Sequence, residues 1–175
     1  MGYINKGRRD ILIIPKLENR DFIDKVRKEY DSLYKVLPPH ITLAYPFEDD
    51  ISNIELKSKL EEFFSKIEPF DIEVGNIHSI YDKYIDEFFI MLDVLQGKDE
   101  ICGIHDLIYK EILPEVDISK YSYFPHITLG SSDDREVPYS LDTNIKGRVN
   151  KILVEEIGDE EESIKLFEID LGKEK

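Results

Sequence analysis

The sequence predicts an α+β fold in which a strand–helix–strand unit is used twice. Three observations predict it. The pentamer Pro-His-Ile-Thr-Leu occupies residues 39–43 and again residues 125–129, an offset of 86 in a chain of 175 residues. Each copy follows a segment of helical apolar spacing, itself preceded by a short aliphatic run of strand type. The chain then closes on two apolar runs separated by an acidic turn, the pattern of a hairpin. The duplication implies two similar lobes related by a pseudo-two-fold axis.

Residues 10–17, built around Ile11-Leu12-Ile13-Ile14, read as the first strand, with Pro15 marking its end or a sheet edge. Asn19 or Asp21 caps a helix expected to reach about Leu37, because Phe22, Ile23, Val26, Tyr30, Leu33, Tyr34 and Leu37 recur at helical spacing. Pro38-Pro39 ends it, since proline has no amide hydrogen and disfavours helix in the residue before it. Residues 40–47 form the next strand. Ser52 or Asn53 caps a second helix with Ile54, Leu56, Leu60, Phe63, Phe64 and Ile67 on its apolar side, closed by Pro69. Residues 70–80 and 88–95 read as strands, and 99–113 as a helix stopped by Pro114. Residues 123–130 form the second motif strand and 131–142 a polar loop. Residues 151–157 and 164–171 make the terminal hairpin, with 158–162 as its solvated tip.

Composition narrows the function. Forty-one per cent hydrophobic residues can bury a core, and the length fits one domain spanning residues 1–175. Lys and Arg number 23 against 38 Asp and Glu, a net charge of −15. That sign argues against long duplex DNA or RNA as a partner, because phosphate neutralisation needs a positive face. A single cysteine, Cys102, excludes an intrachain disulfide framework and fits a reducing cytoplasm. The apolar run 11–14 is too short for a signal or a membrane span. The start Met1-Gly2 matches a myristoylation signal only until Lys6, where Ser or Thr is required. A soluble, cytoplasmic monomer without a membrane partner is expected.

The repeated pentamer carries the chemistry. In a strand, residues i and i+2 share a face, so His40 and Thr42 project together while Ile41 and Leu43 turn into the core. His126 and Thr128 do the same, backed by Ile127 and Leu129. Ala44 and Gly130 come next and are expected to leave open space on the polar face. Two such faces across a cleft supply two imidazoles and two hydroxyls to one ligand. That set suits in-line attack at phosphorus: one neutral imidazole takes a proton from the attacking oxygen, and the other, protonated, gives one to the leaving oxygen. The threonine hydroxyls can hold the non-bridging oxygens. A lone His-Ile-Thr-Leu is an ordinary strand with a surface histidine; two copies at matching topological positions favour catalysis. A metal centre needs a third and usually a fourth ligand, and neither copy has one at suitable spacing. No cofactor-binding motif is present.

These features resemble the 2H phosphoesterase superfamily, named for two His-x-Thr/Ser-x motifs, and within it the bacterial 2′-5′ RNA ligase-like and cyclic phosphodiesterase proteins. The resemblance implies His40 and His126 as general acid and base and Thr42 and Thr128 as phosphate-binding residues. It implies two lobes of mainly antiparallel sheet with outer helices around a V-shaped cleft. The substrates it implies are 2′,3′-cyclic nucleotides, ADP-ribose 1″,2″-cyclic phosphate or RNA ends, with reversible 2′-5′ ligation or non-catalytic binding as alternatives. Many ligase-like relatives carry a basic residue soon after the second motif. Here Gly130-Ser131-Ser132 follows, and Arg135 is the first base, which favours a small nucleotide or RNA-end substrate over long RNA.

Outside the motifs, Tyr45 and Tyr123 are candidates to stack on a base or ribose, with packing as the alternative. His78 falls on the face of Phe70, Ile72 and Val74 and reads as a core or rim histidine, with the cleft wall as the alternative, and His105 as a helix residue of no special role. Arg8, Arg9, Lys16, Lys83 and Arg135 are available cations.

Overall fold

The computed structural model describes residues 8–172, so the Met1-Gly2-Lys6 start lies outside the described residues. Nine strands and three helices follow in the order β1 (Arg9–Ile13), β2 (Lys16–Leu17), α1 (Arg20–Tyr30), β3 (Ile41–Phe47), α2 (Asn53–Ser65), β4 (Phe70–Asp82), β5 (Glu87–Gln96), α3 (Lys98–Glu111), β6 (His126–Ser132), β7 (Ile145–Val149), β8 (Lys151–Ile157) and β9 (Ser163–Asp170). All pairings are antiparallel. The strands form a single sheet in the order β2-β7-β4-β5-β6-β3-β1-β8-β9. The two expected lobes are therefore halves of one sheet, β2-β7-β4-β5-β6 and β3-β1-β8-β9. They meet where the motif strands pair at Ile41↔Ile127.

The sheet curls. β1 and β2 lie near opposite ends of the strand order, yet only Ile14 and Pro15 separate them in the chain. Only Asn150 separates β7 from β8. The expected single strand over 10–17 is thus two strands broken at Pro15, which cannot donate to a ladder. Short covalent links can join distant strands only if the sheet bends back on itself.

The helices cover one face, and the main core lies beneath them. It includes Ile11, Ile13, Ile41, Leu43, Ile90, Leu92, Ile127 and Leu129, all buried, with Ile23 and Val26 of α1 and Ile101, Ile104 and Ile108 of α3. α1 packs on β6 and α3 packs on β3, so each helix braces the motif strand of the other repeat. The opposite face carries a small separate cluster of Leu12, Leu37 and Leu153. Thr42 pairs with Leu12, and Leu12 with Leu153, placing the first motif threonine on that second face.

α1 ends at Tyr30, seven residues before the expected end. The apolar period does continue, but Asp31 is extended, at φ −111° and ψ 112°. Its carboxylate accepts from the Leu33 amide at 2.9 Å and from Arg27 Nε at 2.8 Å, an Asx turn that competes with the next helical turn. Residues 32–37 wind through turns, and Leu37 ends in the second cluster, not the main core. The second motif strand begins at His126, not at residue 123. β7 was not expected, because Gly147 interrupts its alternation; that glycine lies against Leu17 and the Lys16 carbonyl.

Candidate active site

Ile41 and Ile127 face each other in antiparallel register, so His40 comes opposite Thr128 and Thr42 opposite His126. All four side chains leave the sheet on the face opposite Ile41 and Ile127, and all four are half-buried. The two histidines are diagonal neighbours across the strand pair, a relation that separates residues by roughly 7–8 Å. The duplicated motif is thus brought to one place.

The imidazoles are oriented alike. His40 Nδ1 donates to the Pro38 carbonyl at 3.0 Å, and His126 Nδ1 donates to the Phe124 carbonyl at 2.9 Å. A carbonyl can only accept, so each Nδ1 carries the proton and each Nε2 is left for a ligand. Burial holds both imidazoles below their ordinary value of 6.5, against the raising effect of these backbone bonds.

The resemblance between the motifs extends past the pentamer. Ile11 pairs with Ala44 but Leu12 pairs with Thr42, which leaves Leu43 as an extra residue in β3. Ile90 pairs with Gly130 but Met91 pairs with Thr128, which leaves Leu129 extra in β6. Each motif threonine is therefore followed by a β-bulge, which turns the next residue over. Ala44 and Gly130 are buried as a result and leave no open space on the site face, contrary to the alternation expected from sequence. Ser131 takes the place of Gly130 there, and its Oγ donates to Glu87 at 2.6 Å.

Tyr123 does not offer a free edge. Its hydroxyl donates to the Thr42 carbonyl at 2.8 Å, and its ring stacks on His105 with centroids 3.8 Å apart. Burial holds the phenol protonated, so the donor is permanent. Tyr123 braces Thr42 from the helix side, and buried His105 has a packing partner in it. Tyr45 is half-buried, its ring tilted against Tyr121 at 6.1 Å.

Among the candidate cations, Arg9 is committed elsewhere. It is buried, ion-paired to Asp49 and bonded to Asn53 and the Ile51 carbonyl, with its guanidinium over Phe47. Arg8 pairs with Glu161, Lys16 lies on edge strand β2, and Lys83 sits over Tyr84. The cation that acts on His40 is Arg27, which nothing in the sequence pattern of α1 singles out. It is 1% exposed, bonded to Asp31 and, through Nη2, to the Leu37 carbonyl at 2.7 Å. Asp93 was also missed; its sign in the sequence is a lone acid among the apolar residues of 88–95. His78 Nε2 donates to Asp93 Oδ1 at 2.7 Å, and Asp93 is paired directly with His126.

A second acidic feature lies on the same face. Asp10 and Glu155 are cross-strand partners, both buried, and Ser163 Oγ donates to Glu155. Burial, then the neighbouring Glu155, push the Asp10 carboxyl up to about 9, so Asp10 keeps its proton at neutral pH. The unfolded chain releases that proton near the ordinary 3.8, while the folded chain keeps it to about 9. Folding stability should therefore fall as pH rises through that interval and level off above it. Asp10→Asn should flatten the decline in a series of thermal melts and raise Tm at pH 8 by on the order of 5 °C.

Among the described residues, no three of His, Cys, Asp and Glu cluster in a way that could hold a metal ion. No helix among them is long and apolar enough to cross a membrane.

A curled antiparallel sheet presenting two His-x-Thr motifs on one face defines the phosphoesterase class of fold and site. Residues 15–155 match the model of the 2′-5′ RNA ligase superfamily, and the chain belongs to that family, the 2H phosphoesterases. It is 30% identical over 140 residues to a protein of Geobacillus sp. (strain WCH70) named "Putative phosphoesterase", covering 79% of this chain and 75% of that one. A protein of the same name from Geobacillus thermodenitrificans (strain NG80-2) is 31% identical over 121 residues, 69% of this chain and 66% of that one. The fold is similar to that of E. coli LigT complexed with NADP+, with a TM-score of 0.59 and 14% identity over 95% of this chain and 99% of that one.

Proposed function

We propose that this chain hydrolyses a 2′,3′-cyclic phosphate, or a similar 2′-linked phosphodiester, of a nucleotide or RNA end. The observation that carries the proposal is the matched pair of Nδ1–carbonyl bonds, which leaves the Nε2 atoms of two imidazoles on one sheet face for proton transfer. A water oxygen attacks phosphorus and gives its proton to one Nε2. The bond from phosphorus to a ribose oxygen breaks, and that oxygen takes a proton from the other Nε2. The product is a nucleoside monophosphate. Thr42 and Thr128 hold the non-bridging oxygens, and each proton-transfer group supplies roughly a hundred- to ten-thousand-fold in rate.

Two further observations support a small substrate. LigT, a fold neighbour, has been crystallised with NADP+, ATP and 3′-AMP. The net charge of −15 disfavours an extended polyanion. The test is turnover of 2′,3′-cyclic nucleotides by the pure protein in excess chelator. Conversion to a monophosphate is the expected result. Tight binding without turnover would replace the enzyme with a binding module, and loss of turnover on chelation would point to a metal. The family's description as 2′-5′ RNA ligases favours one second arm: RNA halves ending in a cyclic phosphate and a 5′-hydroxyl, examined for a 2′-5′ product.

A further inference from the structure

The two motifs are identical in sequence, yet their surroundings differ at one position that bears on the chemistry. Asp93 of β5 is the cross-strand partner of His126. The corresponding neighbour of His40 is Ile14, one residue beyond the Ile13↔Ile41 pair. One histidine therefore stands beside a carboxylate and the other beside an aliphatic chain. The carboxylate is deliberately held. His78 Nε2 donates to Asp93 Oδ1 and Asn76 Nδ2 donates to Asp93 Oδ2, each at 2.7 Å. Asn76 adopts the left-handed backbone, φ +62°, at an irregularity in β4 between Gly75 and Ile77. Such a conformation costs stability in an ordinary strand and is found where a side chain must be aimed.

We propose that Asp93, fixed by His78 and Asn76, is the positioning residue that makes His126 the proton donor and leaves His40 as the proton acceptor. The assignment rests on the phosphodiesterase reading above. Asp93 does not bond His126 Nδ1, which is committed to Phe124, so it acts through space by favouring the imidazolium. The charged groups acting on His126 are Asp93 and, opposing it, His78. Those acting on His40 are Arg27 first, then Glu155 and Asp31. Arg27 is the largest of these charges and favours the neutral ring, while Glu155 and Asp31 oppose it, and none of the three stands opposite His40 in the sheet as Asp93 stands opposite His126. In the reaction, His40 Nε2 takes the proton of the attacking water, and His126 Nε2 gives its proton to the ribose oxygen as the phosphorus–oxygen bond breaks.

The experiment compares wild type, Asp93→Asn and Asp93→Glu in pH profiles of kcat/KM on a 2′,3′-cyclic nucleotide. A proton donor sets the basic limb. Asp93→Asn should move that limb down by about 0.5–1 pH unit without moving the acidic limb, and Asp93→Glu should restore it. A second substrate, thymidine 3′-(4-nitrophenyl phosphate), has a leaving group that needs no proton. On it, His126→Ala should stay within about tenfold of wild type, whereas His40→Ala should lose at least about a hundredfold on both substrates. An acidic limb that moves instead, limbs that both stay in place, or a His40→Ala variant spared on the nitrophenyl ester would overturn the assignment. Wild type inactive on both substrates would strike the phosphodiesterase reading itself, a result separable from an active enzyme with an unmoved basic limb.

Discussion

Alanine in place of His40 or His126 is expected to lower kcat/KM on a 2′,3′-cyclic nucleotide by at least about a hundredfold. Each imidazole is half-buried and makes a single polar contact, through Nδ1, to a carbonyl two residues earlier in its own loop. Truncation frees the Pro38 or Phe124 carbonyl, so the folded state should lose no more than about 1 kcal/mol. Thermal melts of the two variants should stay close to wild type while turnover collapses. The pH dependence follows from the same burial. Both rings are held below 6.5, so the free-enzyme kcat/KM profile of wild type should be a bell peaking on the acid side of that value. A variant that keeps more than a tenth of wild-type activity on the cyclic nucleotide would remove its histidine from that reaction.

The largest structural effect is expected at Gly130. A Cβ there would sit 2.3 Å from the carbonyl carbon and oxygen of Tyr30, the last residue of α1. Gly130 also has φ +131°, a conformation side chains resist. Neither backbone can yield without shifting α1 off β6. Gly130→Ala should cost about 3 kcal/mol or more, read as a Tm lowered by roughly 6–12 °C. Gly103 provides the control: it is exposed in α3, and a Cβ there meets nothing within 4 Å. Gly103→Ala should raise stability by up to about 1 kcal/mol through helix propensity alone. If both substitutions behave alike, the tight seat of α1 on β6 is absent.

The pentamers were legible because identical residues twice over leave few explanations, and their alternation gave the pairing of His with Thr on one face. The bulges were not legible. Leu43-Ala44 and Leu129-Gly130 look like ordinary alternation, and only the partner strands reveal the extra residue. The helix end at Tyr30 was hidden because apolar spacing persists through Leu37, while the deciding hydrogen bonds belong to the Asp31 side chain. Arg27 and Asp93 escaped for another reason. Their effect on His40 and His126 depends on contacts across 13 and 33 residues of chain, which periodicity within one element does not encode. For Tyr123 the packing alternative is the one seen, its ring on His105, while the bond from its hydroxyl to Thr42 spans 81 residues and had no sign in the sequence.

The crossed bracing, α1 on β6 and α3 on β3, has a consequence for how such a molecule can be divided. Cut near its midpoint, the polypeptide yields two fragments, each bearing a complete pentamer but lacking the cylinder that should press against it. Neither half would keep its motif strand covered unless the other half returned to lend that support, so the two repeats stand or fall together.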